Sequence, residues 1–281
     1  MRFASVPMLS IRFLALIAVS AVSVAQAQDL ALPLWEVGAV GGLLSTPAYP
    51  GSSDKTSLAT ALPYVVYRGD VLRVDRGGLG ARLVNKDDLE VDVGFAGSLP
   101  ASSGNIAARA GMEDLSTLVE FGPRAKVTLA DLGHDSHLRF ELAYRTVLAL
   151  GGGVYGKGSV IEPKLSFEAR DIGDGWRLST ALGLVYADKA LGDYLYGVPA
   201  PMATAARPTY EASAGLLATR WSIDTAKSLN PNVRVLGYVR YESYAGAANA
   251  DSPLMRQSSG VSVGLAFAWV IGRSDALERA E

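Results

Sequence analysis

The sequence predicts an antiparallel transmembrane β-barrel of about twelve strands, with ten as the alternative. Three observations carry this. An export address opens the chain. Segments of about ten residues, the length of a tilted membrane-spanning strand, alternate apolar with polar or small side chains. The connections between them fall into a short and a long class that take turns along the chain.

The address is residues 1–27. Arg2 and Arg12 precede the apolar run Phe13 to Val24, and Ala25-Gln26-Ala27 supplies a small-residue cleavage site between Ala27 and Gln28. The run is about a dozen residues, short of the ~20 that a spanning helix needs. The chain has no Cys, which excludes a lipid anchor on a Cys, disulfide scaffolds, thiolate metal sites and thiol catalysis. The barrel is assigned to residues 28–272 and a polar tail to 273–281.

Alternation then repeats. Val261, Val263, Leu265, Phe267, Trp269 and Ile271 share one face, against Ser262, Gly264, Ala266 and Ala268. Trp176 to Tyr186 and Leu138 to Leu148 show the same period, as do 89–96, 118–129, 160–169 and 233–242. Period two fits a soluble sandwich as well as a membrane barrel. Two features favour the barrel. Trp35, Tyr64, Tyr67, Tyr144, Tyr186, Tyr210, Trp221, Tyr241 and Trp269 lie toward strand ends, where interfacial girdles sit. The opposite face is rich in Gly, Ala and Ser, in a chain whose 30 Gly in 281 residues exceed the usual ~7%.

The long connections are read at 45–57, 99–116, 151–158, 188–208 and 244–257, and the short ones at 68–70, 85–88, 131–136, 171–175 and 224–231. Barrels of this kind place long loops outside and short turns in the periplasm. The stretch 70–84 decides the strand count. Split at Gly77-Gly78 into a short, irregular hairpin, it gives twelve strands with every long loop outside. Left as a non-spanning segment, it gives ten.

Charges on the inward face come in both signs. The acids are Glu36, Glu90, Asp92, Glu120, Glu141, Glu162, Glu168, Glu211 and Glu242, and the bases Arg82, Arg124, Lys126, Arg139, Arg145, Lys164, Arg177, Arg234 and Arg240. Cross-strand ion pairing that fills the lumen is the first reading. A polar conduit for small solutes is the second. The two histidines, His134 and His137, fall at a periplasmic turn, away from the outer rim or mouth where a His-dependent barrel enzyme needs its base. The sequence therefore predicts no enzyme, no cofactor and no metal site. Gly151-Gly152-Gly153 follows a strand without opening a helix, so it is no phosphate loop. A formal net charge of −2 and a pI near 5.8 give no nucleic-acid footprint.

Particular blocks carry a resemblance. Trp35-Glu36-Val37-Gly38 opens the series, followed by Tyr49-Pro50-Gly51-Ser52 and Leu62-Pro63-Tyr64-Val65-Val66-Tyr67-Arg68-Gly69-Asp70. Next come Arg73 to Leu83, then Tyr194-Leu195-Tyr196-Gly197-Val198 and Ala205-Ala206-Arg207-Pro208-Thr209-Tyr210. In order and spacing, over roughly 34–271, the chain resembles the MipA/OmpV family. Pro208-Thr209 stands where that family often has Ser-Gly, and the charged tail is a larger departure. The resemblance implies a bacterial outer-membrane barrel in contact with outer-membrane lipid. It also implies a scaffold that brings a membrane-bound lytic transglycosylase to a bifunctional penicillin-binding protein. Other members are porin-like or adhesive. A murein-enzyme contact would use the periplasmic turns, residues 28–34 or the tail. An adhesive role would use loops 99–116 and 188–208, through Tyr194, Tyr196 and the run Val198 to Met202.

Overall fold

Among the described residues, twelve antiparallel strands close into one ring in chain order. The computed structural model describes residues 33–68, 72–75, 78–86, 88–133 and 135–277, with backbone alone for 72–86. The address with its Ala27–Gln28 junction, the Arg82 side chain and His134 lie outside the described residues. The strands are β1 (Trp35–Pro47), β2 (Lys55–Arg68), β3 (Leu72–Asp75), β4 (Gly78–Lys86), β5 (Leu89–Ser98), β6 (Thr117–Asp131), β7 (Ser136–Leu150), β8 (Val154–Ala169), β9 (Trp176–Ala187), β10 (Gly215–Asn230), β11 (Val233–Ser243) and β12 (Ser259–Arg273). No described helix is long and apolar enough to cross a membrane.

The alternation has the sense of a membrane barrel. On β12, Val261, Val263, Leu265, Phe267, Trp269 and Ile271 are exposed, while Ser262, Ala268 and Val270 are buried. The same inversion holds for Phe140, Leu142 and Tyr144 on β7, which are exposed beside buried Glu141, Ala143 and Arg145. An apolar face turned outward is what lipid stabilises. Tyr64 departs from the expected girdle: it points inward and is buried.

The short turns follow from Asx chemistry. Asp131 accepts from Gly133 N at 2.9 Å, Asp171 from Gly173 N at 2.8 Å, and Asn230 from Asn232 N and Val233 N at 2.9 Å each. Two corrections arise at the connections. The link expected over 151–158 is only 151–153, because β7 and β8 extend beyond the membrane-length core. The turn expected over 224–231 is only 231–232, and Asp224 lies within β10.

The ring is uneven. β1 and β2 pair over thirteen register positions, from Trp35↔Tyr67 to Pro47↔Lys55. Among the described residues β2 meets β3 at two, Tyr67↔Val74 and Arg68↔Arg73. β4 meets β5 only between Arg82↔Asp92 and Lys86↔Leu89. Among the described residues, the far edge of β2 from Lys55 to Val66 and that of β5 from Val93 to Ser98 have no ladder partner. β3 and β4 thus complete the described wall near the periplasmic end.

Candidate functional site

Inward charges assemble along the barrel wall in three groups. At the periplasmic end Glu36 of β1 accepts Arg68 Nη2 at 3.2 Å and Arg234 Nη1 at 2.7 Å. Tyr64 joins them, accepting from Arg234 at 2.6 Å and lying 3.2 Å from Glu36. In the middle Asp92 takes Arg124 through two bonds, at 2.8 and 2.6 Å, and Lys126 at 2.9 Å. Lys126 also reaches Glu90 at 2.9 Å, and Glu141 holds Lys164 at 3.2 Å and Ser166 at 3.1 Å. Nearest the long loops, a belt runs from β6 to β11. Glu120 accepts Arg145 at 2.9 Å, Arg145 meets Glu162 at 2.6 Å, Glu162 meets Arg220 at 3.0 Å, and Arg220 meets Glu242 at 2.7 Å. Arg220, opposite Gly183 of β9, thus reaches past that strand to Glu162 on β8.

Arg139 pairs with Glu168 at 3.0 Å at the half-exposed turn end, and Arg177 is buried on β9. Arg240 has no carboxylate within 4.0 Å among the described residues. Its guanidinium lies 5.2 Å from the Tyr238 ring centroid, and its buried Nε has no hydrogen-bond partner. Glu211 belongs elsewhere: it is exposed on the connection before β10. A register shift between Leu216 and Ala218 sets the phase of β10, so Arg220, Ser222 and Asp224 face inward. Sequence reasoning missed Arg68, Arg220 and Asp224. The alternation of Trp221 and Ile223 with Arg220, Ser222 and Asp224 was the available signal.

Among the described residues, inward charge on β12, β1 and β2 is limited to Glu36 and Arg68 at the periplasmic end. The inward residues of β12, β1 and β2 above Glu36 and Arg68 include Ala266, Ala268, Val270, Val40, Leu62, Tyr64 and Val66, which pack into one apolar cluster. The lumen therefore has an apolar wall and a charged wall.

The long loops close the outer mouth. The connection 188–214 folds as α1 (Lys189–Tyr196) and a single turn of 310 helix at Ala200–Met202. Asp188 caps α1, accepting from Leu191 N at 2.9 Å, and its other oxygen takes Ser159 of β8 at 2.8 Å. Gly158 has φ +121°, and a Cβ there would run into that carboxylate, so the helix docks where only glycine fits. Every other main long loop ties to this segment. Tyr196 donates to Pro50 O at 3.1 Å, Ser252 donates to Tyr196 O at 2.9 Å, and Arg109 donates to Leu195 O at 3.1 Å. Arg207 donates to Met202 O at 2.7 Å and to Ala108 O and Ala110 O at 3.0 Å. Leu191, Leu195, Tyr196 and Val198 pack with Tyr49, Ile106, Leu115, Tyr244 and Leu254 into a second core. Tyr196 and Val198, read above as adhesive, are buried in it, and Tyr194 OH accepts Ser116 N at 2.8 Å. Burial raises the pKa of Tyr49, Tyr196 and Tyr244, and lowers that of Arg109.

His137 is the second residue of β7, with Nδ1 4.0 Å from the exposed Asp131. Among the described residues no three His, Asp or Glu side chains come together as a metal site.

The family model described as MltA-interacting protein MipA matches residues 37–271. No curated protein matches. Solved structures that resemble the chain are outer-membrane barrels. The NanC porin is 12% identical with a TM-score of 0.38, over 83% of this chain and 98% of its own. Outer membrane phospholipase A from Escherichia coli is 8% identical with a TM-score of 0.33, over 85% and 94%. The toluene transporter TodX of Pseudomonas putida is 12% identical with a TM-score of 0.31, over 84% and 88%.

Proposed function

The chain belongs to the MltA-interacting protein MipA family, a family of the bacterial outer membrane, and from that premise we propose that it is a non-enzymatic scaffold for murein enzymes. The partners are a membrane-bound lytic transglycosylase and a bifunctional penicillin-binding protein. The family match is the observation that carries this reading. The build of the periplasmic end supports it. Both ends of the barrel segment are clasped there: Leu34 N donates to Ala276 O at 2.8 Å, Arg68 N to Leu34 O at 2.8 Å, and Trp35 N to Ser274 Oγ at 3.1 Å. Pro33 also bridges to Leu277. Residues 33–35 and 274–277 thus lie together on the side where murein enzymes work.

Affinity capture of the full chain from detergent-solubilised envelopes tests it. Recovery of a lytic transglycosylase with the wild type, and its loss after truncation behind Arg273 in a barrel that is still heat-modifiable, is the expected result. No transglycosylase on an intact wild-type barrel would refute the scaffold. The capped mouth disfavours a free solute channel, and the packing of Tyr194, Tyr196 and Val198 disfavours adhesion through those groups.

A further inference from the structure

The turns that close β6–β7 and β8–β9 are built alike. Each opens on an aspartate, Asp131 or Asp171, whose carboxylate accepts from the glycine two residues on, Gly133 or Gly173. Those glycines have φ of +72° and +105°, and Asp135 and Asp174 follow in the left-handed region at +54°. The residue between Asp and Gly closes the turn through its backbone. Leu132 N donates to Ser136 O at 2.8 Å, and Ile172 N to Trp176 O at 2.9 Å. The side chain takes no part in this bond. Turn chemistry thus asks for Asp and Gly but not for an aliphatic residue between them. Yet Leu132 and Ile172 stand there, 56% and 53% exposed.

These tips lie past the membrane. β9 opens on Trp176, and Lys227 Nζ sits 5.5 Å from that ring centroid while paired to the exposed Asp174. An ion pair beside an interfacial tryptophan marks the polar boundary, and Ile172 precedes it in the turn. In ring order the two tips are followed by Leu229, one residue before the end of β10, and by Leu277 of the terminal clasp, each 55% exposed. Arg273 fixes the tail to the β10–β11 turn by donating to Pro231 O at 2.9 Å. At ~4.8 Å per strand, the arc from Leu132 to Leu277 runs about 25 Å along the rim. That is about the width of one side of a standard protein interface, ~800 Å².

Charge decides what fits this arc. The described residues of 131–136, 170–175, 227–232 and 273–277 carry five carboxylates, Asp131, Asp135, Asp171, Asp174 and Asp275, against three bases, Arg170, Lys227 and Arg273. Lys227 is already engaged by Asp174. Surplus acid repels anionic lipid headgroups. It suits a protein face that sets apolar pockets among lysines and arginines.

We propose that this arc is the docking edge for the murein-enzyme partner, which meets it through a basic face with apolar pockets. The inference rests on the scaffold reading above and adds where the partner sits and by what chemistry it is held. The aliphatic tips contribute burial, and the acids contribute orientation and on-rate.

Capture from detergent-solubilised envelopes, repeated with variants of the full chain, tests the edge. Recovery of the lytic transglycosylase should fall about ten-fold on Leu132→Asn/Ile172→Asn and about three-fold on Asp135→Asn/Asp275→Asn. It should be unchanged on Val154→Asn, an exposed position on the outer β7–β8 hairpin. Asparagine keeps the left-handed backbone at position 135. Added salt should weaken wild-type capture more than that of Asp135→Asn/Asp275→Asn. In illuminated cells Ile172→p-benzoylphenylalanine should cross-link to the transglycosylase, and Val154→p-benzoylphenylalanine should not. Heat-modifiability confirms that each variant is folded. Equal recovery on the wild type and on Leu132→Asn/Ile172→Asn would overturn the docking edge and leave the scaffold standing. No transglycosylase on the wild type would overturn both. Adducts at position 172 confined to phospholipid would make the tips lipid pegs and overturn the edge alone.

Discussion

Glu162 shows how single residues set the stability of the wall. It accepts Arg145 and Arg220 at once, and all three side chains are largely buried. Replacing it leaves two guanidinium groups short of a carboxylate in a poorly solvated place, and removing one partner of a buried pair costs about 3–5 kcal/mol. Glu162→Gln should therefore lower the urea midpoint of the barrel markedly. Arg139→Gln should cost at most about 1 kcal/mol, since Glu168 is 38% exposed and solvent screens the pair. Equal losses from the two variants, measured by urea-dependent tryptophan fluorescence, would contradict this account. The charged positions themselves were legible, because alternation marks one face of a strand. Their partners were not. Arg220 reaches Glu162 across a whole strand, and no pattern within one segment encodes such a contact. Glu211 reads as inward only if the strand begins at 209; β10 begins at Gly215, because Ala212 N and Ser213 N are drawn to Asp193 and Asn249 of the loops, and no local pattern announces those partners.

At the scale of elements, the strands were legible and the loops were not. Each strand obeys a local period of two, and each short turn carries its own Asx signal. The cap depends on contacts between connections far apart in sequence, such as Arg207 with Ala108 and Tyr196 with Pro50. Its apolar residues read as exposed because nothing local shows what covers them. The cap also has a pH dependence. The Tyr49, Tyr196 and Tyr244 hydroxyls titrate above the ordinary tyrosine value because burial disfavours the phenolate. A folded-state pKa above the unfolded one gives stability that is fully present below about pH 10 and lost as pH rises through the raised values. Trypsin should accordingly cut after Arg109 in alkaline buffer and spare it at neutral pH, with the β-sheet circular dichroism unchanged. Protection that persists unaltered to the highest pH at which the sheet survives would show that these tyrosines do not hold the cap.

For the molecule as a whole, the packed loops over the outer mouth predict a barrel closed to flow along its axis. The intact chain should give no sustained conductance steps in planar bilayers, while deletion of 190–206 removes most of α1 and the 310 turn and should produce them. Steady wild-type steps of the same size as the deletion's would mean that the cap does not obstruct the lumen.

The two-position contact between β2 and β3 also has a mechanical meaning. A closed ring resists opening as strongly as its shortest joint. The chain termini, often the natural place for a barrel to part, are here held by a ten-position seam between β1 and β12. The breaking point has moved inward along the sequence, to the first hairpin after β2. Under force or heat the protein should part there and unroll as a ribbon, with its first and last strands still zipped together next to the freed edge of β2.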